Sequence, residues 1–148
     1  MKVAAEISLF ASVAMNAALL AFIAGVLRKV MDDMNASAFK SFVDSLVYHS
    51  KKSPFMLTIL NAPFVGAISF VYFYGLGDRW IIAGLALWFV AGVVAKILKV
   101  PVYKKIAALE ESDGVRLSEE RMKLNKGNLL QAGLDSVAAI LMLLGIVR

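Results

Sequence analysis

The stretch WIIAGLALWFVAGVVAKILKV, residues 80–100, decides the class of fold. Its first charged residue is Lys96, so the preceding part of the stretch is uncharged and strongly apolar. A transmembrane helix needs roughly 20 mostly apolar residues, and this stretch meets that requirement. Three other runs share the property, at 3–27, 54–76 and 127–147. The sequence therefore predicts an all-α integral membrane protein, a four-helix transmembrane bundle in a single domain covering residues 1–148.

Composition supports the same class. The chain has 148 residues, of which 60% are hydrophobic, and its mean hydropathy is +0.75. A soluble domain is about 45–50% apolar, and a chain this short cannot hide the excess in a core. The first run follows Lys2, as a signal peptide would, but it is too long for one and three more spans follow. We therefore expect it to be a retained first helix.

The distribution of Lys and Arg predicts the topology. The chain has 16 such residues and a net charge of +5, and only Lys2, Arg79 and Arg148 lie outside the region of the two long connections. Because basic loops stay on the cytoplasmic side, both long connections are expected in the cytoplasm and both termini outside the plasma (inner) membrane. The charge also suits anionic lipid headgroups. Nucleic acid is not expected as a partner, since acidic residues are interspersed through both loops.

The first long connection has the pattern of a short amphipathic cytoplasmic helix. Asn35 or Ser37 is a suitable N-cap. Apolar residues then recur at helical spacing at Phe39, Phe42, Val43, Leu46 and Val47. This helix is expected either on the membrane surface or against the bundle.

The other connections differ in length. The tight turn 77–79 predicts that spans two and three form an antiparallel hairpin. Span three is expected to continue past Pro101 to Leu109, with a turn at 112–114 and a new helix after Ser118. Small residues four apart predict close helix approach; they are Ala17, Ala21 and Gly25, then Ala62 and Gly66, then Ala91 and Ala95.

Polar side chains inside the predicted spans are the candidate functional residues, because such groups are costly in a bilayer. They are Asn16, Asn61, Lys96, Asn128, Gln131 and Asp135. The functional interpretation is a pocket open toward the cytoplasm, with Asp135 as its main functional residue and the other five as ligand-binding residues. The alternative is that these groups only join helices by hydrogen bonds, with Lys96 paired to Asp135 and Asn61 bonding backbone freed by Pro63.

Several chemistries have no support in the sequence. The chain has no cysteine and a single histidine, His49, so thiolate sites and multi-histidine metal clusters are excluded. No glycine-rich phosphate loop or Ser-His-Asp order is present. We therefore expect neither a metal nor another cofactor.

The order of elements resembles the DUF1772 family, the anthrone oxygenase-like four-span membrane proteins of bacteria and fungi. The likeness rests on Ala38-Phe39 in a short helix, on residues 100–109, and on residues 128–131 opening the last span. Pro101 and Asn128 match that family's motifs, whereas Tyr103 stands in place of an Asn and Gln131 in place of an Arg. The resemblance implies oxidation of a flat aromatic substrate by O2 without metal or flavin, with a carboxylate such as Asp135 taking a proton.

Two functions of different classes follow. The first is an enzyme or binder for a hydrophobic, aromatic or quinone-like small molecule held among the helices. The second is a non-catalytic membrane interaction or assembly protein, such as a partner subunit, an immunity or stress protein, or a homo-oligomer. A proton-coupled transporter is the weaker third interpretation, because the sequence has no inverted repeat.

Overall fold

The computed structural model describes all residues, 1–148, and contains helices and no strands. The elements are α1 (Lys2–Phe22), a π-helical turn (Ile23–Leu27), α2 (Arg28–Asp33), α3 (Ala36–Lys52), α4 (Pro54–Tyr74), α5 (Arg79–Ala108) and α6 (Gly114–Ile146). The first helix, the π turn and α2 run on as one continuous helix. The all-α prediction is confirmed.

Four helical segments are long and apolar enough to cross a membrane, so the chain is a multi-pass helical membrane protein. They are Lys2–Asp33, Pro54–Tyr74, Arg79–Ala108 and Gly114–Ile146. At about 1.5 Å per residue, helices of 30 and 33 residues exceed the roughly 30 Å hydrocarbon core. We call the end of the bundle that holds the two long connections the basic end, and α5 and α6 extend beyond the membrane there.

The last helix begins earlier than predicted. It starts at Gly114 and not after Ser118, which lies inside α6. The physical reason is packing: Leu117 is fully buried in an apolar cluster with Leu124 and the helices beside it, so the residues before Ser118 are held in the helix. The predicted extension of α5 past Pro101 is confirmed, since the helix ends at Ala108.

At the basic end α3 packs against the bundle. Asn35 is the N-cap, and its side-chain oxygen accepts a hydrogen bond from the Ala38 backbone N–H at 2.9 Å. A buried cluster joins α3 to α2, α5 and α6; it comprises Met31, Phe39, Val43, Val102, Ile106, Leu117 and Leu124. Of the two positions predicted for this helix, the structure selects the one against the bundle.

The lateral order of the helices leaves one gap. The α5 helix packs on α6, α6 packs on α1, and α1 packs on α4, but α4 and α5 scarcely approach each other. The predicted tight turn joins these two helices, and Asp78 caps α5 by accepting from the Trp80 and Ile81 N–H groups, but the two helices are not packed closely on each other. The reason is that the glycine-containing face of α4 packs on α1 and that of α5 packs on α6.

Glycine positions mark the closest approaches. A Cβ at Gly84 of α5 would lie 2.6 Å from Met142 Cγ and 2.8 Å from the Ala138 carbonyl oxygen of α6. A Cβ at Gly66 of α4 would lie 3.1 Å from a methyl carbon of Leu9 on α1. Among the predicted strips, Ala91 and Ala95 are buried, whereas Ala21 and Gly25 are exposed.

Candidate functional site

A cavity of about 460 Å³ occupies the gap between α4 and α5. All four membrane-crossing segments contribute to its lining, which comprises Asn16, Leu60, Phe64, Trp88, Phe89, Gly92, Val93, Lys96, Gln131 and Asp135. Its size is in the range of small-molecule sites, which are mostly apolar with a few polar groups that orient the ligand.

Three aromatic rings form much of the wall. The Phe64 and Trp88 rings lie 4.6 Å apart, centroid to centroid, at 67° to each other, and so bridge the gap between α4 and α5. Leu60, Phe64 and Phe89 are each about half exposed. These exposed apolar residues give the cavity a lateral opening between α4 and α5, and exposed Lys96 lines it nearer the basic end, where the sequence predicted the opening.

Asp135 is the buried acid of this cavity. Its side chain is 1% exposed, and neither carboxyl oxygen has a hydrogen-bond partner in the protein. Asn16 of α1, which is 5% exposed, lines the same cavity. A buried carboxyl group without partners is costly, since even one unsatisfied polar atom costs about 1–3 kcal/mol. Because Asp135 belongs to the lining of the cavity, its unpaired oxygens lie next to the space that a ligand would occupy.

A lysine that the sequence analysis did not select adjoins this acid. The Lys99 ammonium donates to Asn128 Oδ1 at 3.2 Å and to Gln131 Oε1 at 2.5 Å. Both bonds cross from α5 to α6, and Gln131 lies one helical turn from Asp135. Lys99 therefore orients the side-chain oxygens of Asn128 and Gln131 and places a positive charge next to Gln131, which lines the cavity.

The spacing of the buried positions along α5 is the feature that could have identified Lys99. The buried face of α5 follows steps of three and four residues; its members are Ile81, Gly84, Trp88, Ala91, Ala95, Val102 and Ile106. The seven-residue step between Ala95 and Val102 leaves room for one more member at 98 or 99. Lys99 occupies this place, and Lys96 does not.

The remaining predicted residues fall in different places. Lys96 lines the cavity but is exposed, and it has no ion pair with Asp135. Asn128 is buried but its oxygen is taken by Lys99 outside the cavity lining. Asn61 is exposed, and its side-chain amide donates to the Leu57 carbonyl of its own helix at 2.7 Å. Pro63 leaves the carbonyl oxygen of Ile59 without its helical partner. Asn61 donates to Leu57 and not to Ile59, so it does not make the hydrogen bond that the alternative interpretation expected.

No family model, no curated protein and no solved structure matches this chain. The site must therefore be interpreted from its own geometry. No three His, Cys, Asp or Glu side chains come together as metal ligands would. The arrangement offers one carboxyl group, that of Asp135, in a mainly apolar cavity with aromatic walls and lateral access.

Proposed function

We propose that this protein binds a flat, hydrophobic aromatic molecule that carries a proton-donating group such as a phenolic hydroxyl. The observation that supports this most is the buried, unpartnered carboxyl group of Asp135 inside a cavity with three aromatic side chains. The aromatic walls would contact the faces and edges of the ligand's rings. Asp135 would accept the hydrogen bond or proton of the hydroxyl, and Asn16 and Gln131 would contact other polar groups of the ligand.

The mouth of the cavity supports a route for such a ligand. The exposed apolar residues around it, Leu60, Phe64 and Phe89, face the side of the bundle that lies against lipid in a membrane-spanning protein. A hydrophobic molecule partitions into the bilayer, so it would reach the cavity sideways between α4 and α5 without crossing water.

Binding can be tested with a pair of probes that differ in one hydroxyl group. Equilibrium dialysis of the protein in detergent should show that 1-naphthol binds at least about ten-fold more tightly than naphthalene, because a hydrogen bond to a charged group contributes roughly 1.5–3 kcal/mol. Asp135→Leu should remove that preference, whereas the matched surface change Asp33→Leu should keep it. Equal binding of both probes to the wild-type protein would contradict the proposal.

The resemblance to the anthrone oxygenase-like family suggests a reaction for this site. Asp135 would remove the proton of a bound anthrone, and the resulting carbanion would react with O2. One oxygen atom would end as the new carbonyl of the quinone and the other as water. Oxygen uptake with anthrone should be faster with the wild-type protein than with Asp135→Asn. Binding without any difference in oxygen uptake would favour a binding protein that is not an enzyme.

Assembly without catalysis is the second candidate function. It is favoured by one observation, namely that Ala21 and Gly25 of the predicted small-residue strip face outward, with open space at the Gly25 α-carbon. A second copy of this chain could approach there closely. Light scattering in detergent should then give a molar mass above that of the monomer, which Gly25→Leu would reduce while naphthol binding stays unchanged.

We further propose that the protein resides in the plasma (inner) membrane with both termini outside and the basic end in the cytoplasm. The Lys and Arg distribution supports this orientation. Cysteines introduced at Lys51 and Arg116 should be protected from an impermeant thiol reagent in intact cells, while one at Asp78 should react. Labelling at Lys51 or Arg116 in intact cells would overturn the orientation.

A further inference from the structure

A second, polar hollow of about 240 Å³ lies between α2 and α6 at the basic end. Its lining comprises Arg28, Asp32, Met122, Asn125, Lys126 and Leu129, and it shares no residue with the cavity around Asp135. We call it the α2–α6 hollow.

The charges around this hollow leave a positive excess. Asp32 is held on both carboxyl oxygens, by Arg28 Nε at 3.6 Å and by Asn125 Nδ2 at 2.9 Å. Lys126 has neither an ion pair nor a side-chain hydrogen bond. Two cations and one anion line the hollow, so its formal net charge is +1. A ligand with a single negative charge would balance it.

Asn125 adds a second, independent requirement. The residue is 7% exposed, and its Oδ1 atom has no hydrogen-bond partner. The bond from Nδ2 to Asp32 fixes which atom of the amide is the oxygen, so Oδ1 must receive a donor from elsewhere. Asn125 lines the hollow, so a hydroxyl or ammonium group on a bound ligand would supply the donor that Oδ1 lacks.

The depth of the hollow indicates where that ligand comes from. The apolar run of the first helix ends just before Arg28, and that of α6 begins just after Lys126. Met122 and Leu129, which flank the hollow, are each more than half exposed. Basic side chains next to exposed apolar ones at the end of a span are typical of the level where lipid headgroups meet acyl chains.

We propose that the α2–α6 hollow binds the headgroup of an anionic phospholipid that carries a hydroxyl group, of the phosphatidylglycerol class. The phosphate contacts Lys126 and Arg28. A headgroup hydroxyl donates to Asn125 Oδ1, and the acyl chains lie along Met122 and Leu129. The ligand supplies the donor and the charge that the hollow lacks.

The test is lipid binding by native mass spectrometry of the protein in detergent, with phosphatidylglycerol and phosphatidylcholine as competing lipids. Lys126→Gln should weaken phosphatidylglycerol binding about five-fold, since one basic residue contributes roughly 1 kcal/mol at an anionic surface. Lys29→Gln is the matched control, because Lys29 is exposed on the same helix as Arg28 but does not line the hollow. Equal losses in both variants would overturn the proposal.

Two further ligands test the headgroup chemistry. Phosphatidylmethanol has the same charge and no free hydroxyl, so it should bind about five-fold more weakly than phosphatidylglycerol, as loss of one hydrogen bond predicts. Equal affinity of the two lipids would overturn the role of Asn125. Glycerol 3-phosphate tests a soluble source, and its displacement of the lipid at equal free concentration would overturn the assignment to a membrane lipid.

Discussion

Replacing Asp135 with leucine should stabilise this protein while abolishing its ability to discriminate the hydroxyl of a ligand. Asp135 is 1% exposed, and neither of its carboxyl oxygens has a hydrogen-bond partner. Its replacement therefore removes no hydrogen bond from the unliganded protein. Leucine is larger, and the adjoining cavity of about 460 Å³ has room for the extra atoms. The change removes a buried polar group and adds apolar contact with the aromatic walls.

The magnitude follows from the membrane depth of the residue. An Asp at the centre of a transmembrane helix costs about 2.5–3.5 kcal/mol on insertion scales, whereas Leu gains about 0.3–0.6 kcal/mol. The sum is an upper bound, because Lys99 bonds Gln131, which lies one helical turn from the acid, and the lysine charge attracts the carboxylate. We expect a gain of about 1–3 kcal/mol in the free energy of unfolding, in line with other replacements of buried charge.

The measurement is helicity by circular dichroism during titration with sodium dodecyl sulfate in mixed micelles. Asp33→Leu is the matched control, since Asp33 is exposed at the end of α2. The unfolding free energy of this variant should differ from that of the wild-type protein by no more than about 0.5 kcal/mol. A loss of more than about 1 kcal/mol in Asp135→Leu would refute the reasoning, because it would mean that attraction to Lys99 and Gln131 outweighs the cost of burying the acid.

Three other substitutions test the packing and the polar contacts. Lys99→Met leaves two amide oxygens unpaired and should lower the unfolding free energy by about 1–3 kcal/mol, while Lys96→Met, at an exposed position, should change it by less than about 0.5 kcal/mol in the same titration. Gly84→Ala places a carbon 2.8 Å from a backbone carbonyl oxygen of α6 and should lower the unfolding free energy by about 1–3 kcal/mol. Its control is Gly133→Ala, whose new carbon meets no neighbour within 4 Å and which should leave the unfolding free energy unchanged or raise it. Lys40→Met removes bonds of 3.2 Å to each of two carbonyl oxygens at the end of α5 and should speed amide hydrogen exchange throughout α3 several-fold, an expectation that unchanged exchange would contradict.

The four long apolar helices were predictable because a bilayer imposes strict rules on sequence. Every backbone group in lipid must be bonded within the protein, so a long apolar run has to be a helix. The boundaries were less predictable. Leu117 lies in a polar part of the chain, and only its contact with α3 and α5 shows that α6 begins before Ser118. Contacts with residues distant in sequence decide where such a helix begins, and a local sequence pattern does not show those contacts.

The candidate site was predictable in type but only partly in membership. Asp135, Gln131 and Asn16 line one cavity, because polar residues in a span avoid lipid and so turn toward the same interior; Lys96 also lines the cavity, although it is exposed. Asn61 shows the limit of that rule, since an amide that bonds its own helix backbone can remain at an exposed position. The position of Lys99 required the register between α5 and α6, which depends on the side chains of both helices at once.

The gap between α4 and α5 shows how a short connection and close packing can disagree. The turn at Gly75, whose φ of 71° suits a residue without a side chain, returns the chain directly after α4. Yet Gly66 lies against α1 and Gly84 lies against α6, so each helix of the pair packs closely on a different neighbour. Between them remain bulky side chains, with Phe64 and Trp88 in contact across the gap and space beside them. Because no helix closes this side, the proposed ligand would need only local side-chain movement to reach Asp135 from the bilayer, and the rest of the bundle could stay fixed.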